Sequence, residues 1–214
     1  MQRVGLSELA DRASTLAAGP GRTLLGIVGP PGAGKSTVCA KLTAALGERS
    51  ALVGMDGFHL DNDVLVALGR RERKGAPDTF DVPGYVSLLT RLRTPSQDVV
   101  YAPRFDRAHE QAIGSAVPVS PQVELVITEG NYLLYDQDGW DQVRGLLDQV
   151  WYLQVTEEEI RRRLLARRMA HGESRAEALP WVTEVDLPNA ARVASSRARA
   201  DVVFDVHINA GEDL

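Results

Sequence analysis

Hydrophobic residues in this chain follow two spacings, which together predict the order of its secondary structure. Short continuous apolar runs, typical of buried strands, lie at 23–28, 51–55, 123–128, 150–155 and 202–206. Apolar residues three or four positions apart, typical of helices, lie at 6–17, 36–46, 82–92, 140–147 and 157–168. Because strands alternate with helices, we expect an α/β fold with a parallel central sheet and helices on both of its faces.

The stretch from Gly29 to Thr37 matches the phosphate-binding P-loop pattern G-x-x-x-x-G-K-S. It lies between a predicted strand and a predicted helix, which is the context that the pattern requires. Glycines let backbone N–H groups close around phosphate oxygens, and the helix N-terminus favours negative charge. Lys35 would contact the β- and γ-phosphates, and Ser36 would bind Mg²⁺, while Thr37 alternatively packs or caps. The candidates for nucleotide binding are Gly29, Pro30, Pro31, Gly32, Ala33, Gly34, Lys35, Ser36 and Thr37.

Composition and charge narrow the class of protein. The chain has 214 residues, a length that suits one α/β domain with a small lid. Its net charge of −5 and pI of 5.4 argue against non-specific binding to nucleic acids or anionic membranes. No apolar run reaches membrane-spanning length, and the N-terminus lacks the apolar region of a signal peptide. We therefore expect a cytoplasmic protein.

Two acidic residues follow predicted strands, at the edge where open α/β sheets bind their ligands. Asp56 would face the γ-phosphate and act as a general base toward a substrate hydroxyl. The alternatives for Asp56 are a helix cap and a water-mediated contact with Mg²⁺. Glu129 would bind Mg²⁺ directly or through water, as a Walker B carboxylate does. The alternative for Glu129 is a cap of the following turn.

Polar residues beyond Asp56 are candidates for contacts with a second substrate. His59 either lines that substrate's site or makes a hydrogen bond within its own loop. Arg104, Arg107 and His109 lie in a polar loop after a strand that begins at Val99, and each is alternatively a surface side chain. Residues 117–119 are predicted to pair back as a short edge strand.

An arginine-rich helix follows a predicted capping box formed by Thr156 and Glu159. Arg163 and Arg167 lie one turn apart on one face of this helix. A guanidinium there could close over transferring phosphate oxygens, whereas each arginine alternatively faces solvent or an ion-pair partner. Residues 171–174 would end the helix and form the hinge of a lid. Asn209 and Ala210 either border the adenine or belong to a fraying terminus.

These residues resemble motifs of the phosphoribulokinase/uridine kinase family of P-loop kinases, and within it the bacterial type I pantothenate kinases. Residues 55–58, Met-Asp-Gly-Phe, are similar to a T-D-G-F segment whose aspartate is the catalytic base. Residues 73–81 are similar to K-K-G-F-P-E-S-Y-D, which makes Lys74 and Asp78 further candidates for substrate binding. Residues 102–106 are similar to the acceptor-contacting A-P-x-Y-S/D segment, and 128–130 match the acidic E-G at the Walker B strand.

The chain departs from uridine kinases at one segment, because residues 74–77, Lys-Gly-Ala-Pro, stand where those enzymes have F-D-H-P-D. Residues 129–134 are similar to small bacterial proteins described as nucleoside/nucleotide kinases or fructose transport-associated kinases. The resemblance implies a three-layer P-loop NTPase fold in one domain, 1–214, and allows a homodimer. We expect a packing helix in 1–20, acceptor-binding insertions in 57–118 and a short arginine-rich lid in 160–180.

The predicted function is ATP-dependent, Mg²⁺-assisted transfer of the γ-phosphoryl group to an alcohol hydroxyl of a small metabolite. Asp56 would take the proton, while Lys35 and an arginine would stabilise the phosphoryl oxygens. Pantothenate-like, sugar and nucleoside acceptors all remain open. One alternative is a nucleotide-binding regulatory switch without kinase turnover, since 136–139 fit the D-x-x-G of GTPases, although no N-K-x-D follows. A third is a kinase fold that has lost catalysis and acts as a sensor.

Overall fold

The computed structural model of the protein describes residues 2–94 and 96–206. The strands are β1 (Gln2–Val4), β2 (Thr23–Val28), β3 (Ser50–Gly54), β4 (Val100–Asp106), β5 (Gln111–Val119), β6 (Leu125–Gly130), β7 (Gln149–Gln154) and β8 (Val202–Val206). The α-helices are α1 (Leu6–Ala17), α2 (Lys35–Leu46), α3 (Asn62–Ala67), α4 (Val82–Arg93), α5 (Asp141–Arg144), α6 (Glu157–Ala170), α7 (Arg175–Trp181) and α8 (Leu187–Ser195).

Six strands form one parallel sheet in the order β1-β8-β7-β2-β6-β3. β6 lies between β2 and β3, and its residue Glu129 pairs with Ile27 of β2 and with Gly54 of β3. The carboxyl ends of β2, β3 and β6 therefore meet at one edge. This edge presents the P-loop, the Asp56 turn and the Glu129 carboxylate together.

Helices cover both faces of the sheet, so the predicted three-layer α/β fold is confirmed. On one face, α4 and α5 pack over a core that contains Tyr85 and Trp140, both fully buried. On the other face, α1 and α2 pack over a core that contains Leu9 and Leu42. A third, smaller cluster joins α6, α7, α8 and the π-helical turn between α7 and α8.

The hairpin of β4 and β5 stands apart from the main sheet and is larger than predicted. Residues 117–119 do pair with β4, as the sequence indicates, but β5 already begins at Gln111. The sequence also predicts a helix over 140–147. The observed helix α5 is shorter, because it covers only Asp141–Arg144 and is followed by Gly145. Trp140 and Leu147 are both buried core residues, so their spacing reports packing against the sheet rather than a longer helix.

The predicted capping box at the start of α6 forms only in part. The Thr156 hydroxyl accepts a hydrogen bond from the Glu159 backbone N–H, as expected. The Glu159 carboxylate instead binds the guanidinium groups of Arg162 and Arg163 at 2.6–2.7 Å. Charged donors outcompete a backbone N–H for a carboxylate, and Arg162 lowers the pKa of Glu159 to about 2. A complete capping box forms one helix later, between Ser174 and Glu177.

None of the helices in residues 2–94 and 96–206 is both long and apolar enough to span a bilayer.

Candidate active site

The P-loop wraps around one end of a cavity of about 720 Å³. Gly32 and Gly34 have φ angles of +78° and +87°, a left-handed conformation that residues with a Cβ rarely adopt. α2 begins at Lys35, its first residues Lys35, Ser36 and Thr37 line the cavity, and no side chain among the described residues caps its N-terminus. The positive end of the helix dipole therefore faces the cavity, where the charge of a phosphate group would be stabilised.

Lys35 lies within the P-loop, with its ammonium group held by three oxygen atoms. Its Nζ atom donates to the backbone oxygens of Gly29 (3.0 Å) and Pro30 (3.2 Å) and to Oδ1 of Asn131 (2.7 Å). Burial lowers the pKa of Lys35, and the nearby carboxylates of Glu129 and Asp56 oppose that shift. Asn131 is a site residue that the sequence analysis did not single out.

Asp56 and Glu129 reach the same cavity from neighbouring strands. Asp56 lies on a 3₁₀ turn directly after β3, and Glu129 is the penultimate residue of β6. Burial raises the pKa of Glu129, and Lys35 opposes that rise. Lys35 therefore lies near two carboxylates at the same edge of the sheet. In this arrangement a bound triphosphate would lie beside a potential base.

Asp56 is held by an ion pair with Arg107. Nη2 of Arg107 lies 2.6 Å from Oδ2 of Asp56. His59 lies on the other side, with Nδ1 2.9 Å from the Asp56 backbone oxygen, so it both lines the cavity and bonds within its loop. The His59 ring packs between Phe80 and Phe105, with centroids 4.1 Å and 4.8 Å away. Burial lowers the pKa of His59.

The β4–β5 hairpin packs directly against the Asp56 turn because Gly57 lacks a side chain. A Cβ atom at Gly57 would lie 2.7 Å from the backbone oxygen of Pro103 on β4. This close approach brings Phe105 and Arg107 to the cavity wall. Lys74 arrives from the segment before α4, with Nζ 5.4 Å from the Phe105 ring centroid.

Three of the predicted substrate-binding residues lie away from the cavity lining. Asp78 is engaged by Arg73, with a 2.6 Å contact, and by a neighbouring arginine. Arg104 is exposed on the hairpin. The His109 side chain is 70% exposed and contacts Asp106. Ion pairs engage Asp78 and His109, and a role of these three residues in acceptor binding stays a prediction.

The arginine-rich helix α6 packs over the P-loop. Nη1 of Arg163 donates to the backbone oxygen of Gly32 at 3.1 Å, and its Nε atom donates to Glu159. Arg167 also lines the cavity, and its guanidinium makes no hydrogen bond to any residue between 2 and 206 that the structure describes. Of the two predicted arginines, Arg167 is thus the one whose guanidinium makes no hydrogen bond to the described residues.

A second group that the sequence analysis missed lies beside this helix. Oδ2 of Asp186, on the π-helical turn, is buried without a hydrogen-bond partner among the described residues. Burial raises the pKa of Asp186, while Arg167 and Arg168 oppose the shift. Asn209 and Ala210, proposed to border an adenine, lie outside the described residues.

The oxygen atoms near the P-loop could supply only part of the coordination shell of Mg²⁺. Ser36, Asp56 and Glu129 offer one hydroxyl and two carboxylates along the cavity wall. In the described part of the chain, no group of three or more His, Cys, Asp or Glu residues could hold a metal. Mg²⁺ commonly takes one or two carboxylates and completes its shell with phosphate oxygens and water. The residues present therefore fit a nucleotide-bound Mg²⁺.

A strand-loop-helix phosphate cradle, facing carboxylates and an arginine-rich helix packed over the cradle define the class of P-loop phosphotransferases. No protein-family model matches the chain. It is 32% identical over 208 residues to "Putative uridine kinase C227.14" of Schizosaccharomyces pombe, covering 92% of this chain and 88% of that protein. It is 28% identical over 210 residues to a pantothenate kinase of Sorangium cellulosum, covering 85% and 68%.

A solved structure supports the same assignment. A "putative fructose transport system kinase" from Silicibacter sp. TM1040 matches with a TM-score of 0.83 and 38% identity, covering 92% of this chain and 98% of that one. The chain belongs to the uridine kinase/pantothenate kinase family of P-loop kinases. The predicted resemblance, including that to fructose transport-associated kinases, is confirmed.

Proposed function

We propose that the protein is an ATP-dependent kinase that phosphorylates an alcohol hydroxyl of a small metabolite. The observation that carries this proposal is the convergence of Lys35, Asp56 and Glu129 on one cavity at the end of the P-loop. A nucleotide switch needs the loop and a metal ligand, but it needs no base beside the γ-phosphate. Asp136, which begins the D-x-x-G match, instead pairs with Arg199 and lies outside the cavity lining.

The proposed reaction is a direct transfer between two oxygen atoms. The acceptor hydroxyl oxygen forms a bond to the γ-phosphorus as the bond to the β,γ-bridging oxygen breaks, and ADP leaves with that electron pair. The hydroxyl proton passes to a carboxylate oxygen of Asp56. As ATP binds, the Lys35 ammonium group gives up its hydrogen bond to a backbone oxygen or to Asn131 and donates to oxygens of the nucleotide instead.

Charge on the transferring group is balanced from two sides of the cavity. Bound Mg²⁺ would neutralise the β- and γ-phosphate oxygens, and Ser36 and Glu129 would hold it. Arg167 would donate to the γ-phosphoryl oxygens in the transition state, while Arg163 links α6 to the P-loop. In this proposal 1–214 act as one domain, with acceptor contacts in 57–118 and a lid in 160–180.

The direct test is ADP formation with ATP, Mg²⁺ and a panel of small alcohols. We expect at least one alcohol to stimulate ADP release and to gain a phosphomonoester signal in ³¹P NMR. A protein that binds GTP tightly, turns it over slowly and ignores every alcohol would be a switch. A protein that binds ATP without turnover would be a sensor.

A further inference from the structure

We infer that the acceptor carries an anionic group, either a carboxylate or a phosphate. This group would form an ion pair with Arg107 in place of Asp56 and so free the Asp56 carboxylate. This inference rests on the proposed function, because it concerns the acceptor end of the same site. It narrows the acceptor to hydroxy acids or phosphorylated alcohols.

The first observation is that the proposed base is occupied. Arg107 lies in the turn between β4 and β5 and places Nη2 2.6 Å from Oδ2 of Asp56. A charge-assisted hydrogen bond of this length engages a lone pair of Oδ2, one of the two carboxylate oxygens that could accept the hydroxyl proton. The Arg107 side chain is 65% exposed, so it can turn toward another anion at little packing cost.

The second observation is a further cation close by that makes no direct contact with a carboxylate in the described part of the chain, although the charges of Glu110 and Asp61 act on it. Lys74 donates to Oδ1 of Asn62 and to the backbone oxygen of Glu110, both uncharged acceptors, at 2.8 Å. Among the carboxylates that the structure describes, none lies within 4.0 Å of its Nζ atom. Burial also lowers the pKa of Lys74, as expected for an ammonium group without a bound anion.

The two cations share one wall of the cavity. Lys74 Nζ and Arg107 Cζ lie 5.4 Å and 5.5 Å from the centroid of the Phe105 ring. Both charges also act on His59, which lies between Asp56 and that ring. An anion bound by Lys74 and Arg107 would thus be held beside Asp56.

When such an anion binds, it replaces Asp56 as the ion-pair partner of Arg107, so binding and release of the base occur together. The acceptor's carboxylate or phosphate forms the charge-assisted pair with Arg107, and Oδ2 of Asp56 becomes able to accept the hydroxyl proton. A neutral sugar or nucleoside has no charge with which to compete for Arg107. The ion pair between Arg107 and Asp56 therefore acts as a specificity filter.

The test compares matched acceptors in three arms: hydroxy acids, phosphorylated polyols and neutral polyols of the same chain length. The variants are Arg107→Met, Lys74→Met and the charge-retaining Arg107→Lys, with Arg91→Met, an exposed arginine of α4, as the control. For the wild type and control we expect kcat/KM roughly tenfold or more higher in one anionic arm, which identifies carboxylate or phosphate. Arg107→Met and Lys74→Met should each raise KM for that arm, Arg107→Met should also raise kcat/KM for the neutral arm because it releases Oδ2 of Asp56, and Arg107→Lys should retain part of the preference.

Two failures are distinguishable. Turnover of neutral polyols with kcat/KM equal to or above the anionic arms, unchanged by Arg107→Met, would overturn this inference and leave the kinase proposal standing. No product in any arm, despite ATP binding, would overturn the kinase proposal and this inference with it.

Discussion

The ammonium group of Lys35 lies 2.7 Å from Oδ1 of Asn131, although the two residues are 96 positions apart in the chain. This contact joins the P-loop to the segment that directly follows β6. Together with two backbone oxygens, Asn131 satisfies all three hydrogens of the ammonium group. A bound triphosphate would offer stronger, charged acceptors to the same group.

Replacing Asn131 by Ala should lower the stability of the free protein. One donor of a buried ammonium group would lose its acceptor, which costs about 1–3 kcal/mol. In saturating ATP the deficit should shrink, because phosphate oxygens replace the amide oxygen. Thermal unfolding of wild type and Asn131→Ala, with and without ATP, measures both effects. An equal loss in the two conditions would mean that Lys35 does not change partners on binding ATP.

Replacing Arg167 by Met should reduce kcat by about tenfold to a thousandfold with little change in protein stability. The guanidinium lines the cavity and makes no hydrogen bond to the part of the chain that the structure describes, and the buried carboxylate of Asp186, on which its charge acts, keeps Arg168 as a second nearby cation. Arg161→Met is the matched control, because Arg161 lies on the same helix and pairs with Glu157 outside the cavity lining. Equal kinetics for the two variants would remove Arg167 from the reaction.

His59 should make stability depend on pH below about 6.5, its ordinary pKa. Burial lowers the pKa of His59 in the folded state, so the unfolded chain binds its proton first as the pH falls. The free energy of unfolding should therefore decrease from pH 6.5 down to the folded-state pKa. In His59→Asn this contribution is absent. Urea unfolding at pH 7.5 and 5.5 should show a smaller decrease in the variant, and an identical decrease would contradict the burial argument.

Local patterns were sufficient for the elements that hold the nucleotide end of the site. The P-loop, the strands before Asp56 and Glu129, and the start of α6 each follow from spacing and motif within a few residues. The resemblance to known kinases added Lys74, which does line the cavity. These features depend on neighbours in sequence, which is why sequence reasoning reaches them.

The acceptor end depended on contacts between distant residues. The pairing of Arg107 with Asp56 spans 51 positions and requires the hairpin to lie against Gly57. Nothing in the polar loop distinguishes Arg107 from Arg104, and only the register of β4 and β5 places one at the cavity and the other in solvent. The buried Oδ2 atom of Asp186, which has no hydrogen-bond partner in the described part of the chain, likewise arises from packing of the π-helical turn, which has no local sequence signal.

The most direct test of the account is the kinetics of Asp56→Asn, measured together with its affinity for ATP. The asparagine keeps the size of the side chain but cannot accept the hydroxyl proton as a carboxylate does. With an acceptor found in the panel, we predict a loss of about 10²- to 10⁴-fold in kcat and an ATP dissociation constant close to that of the wild type. Turnover near the wild-type rate, or parallel losses in turnover and ATP affinity, would contradict the role of Asp56 as the base.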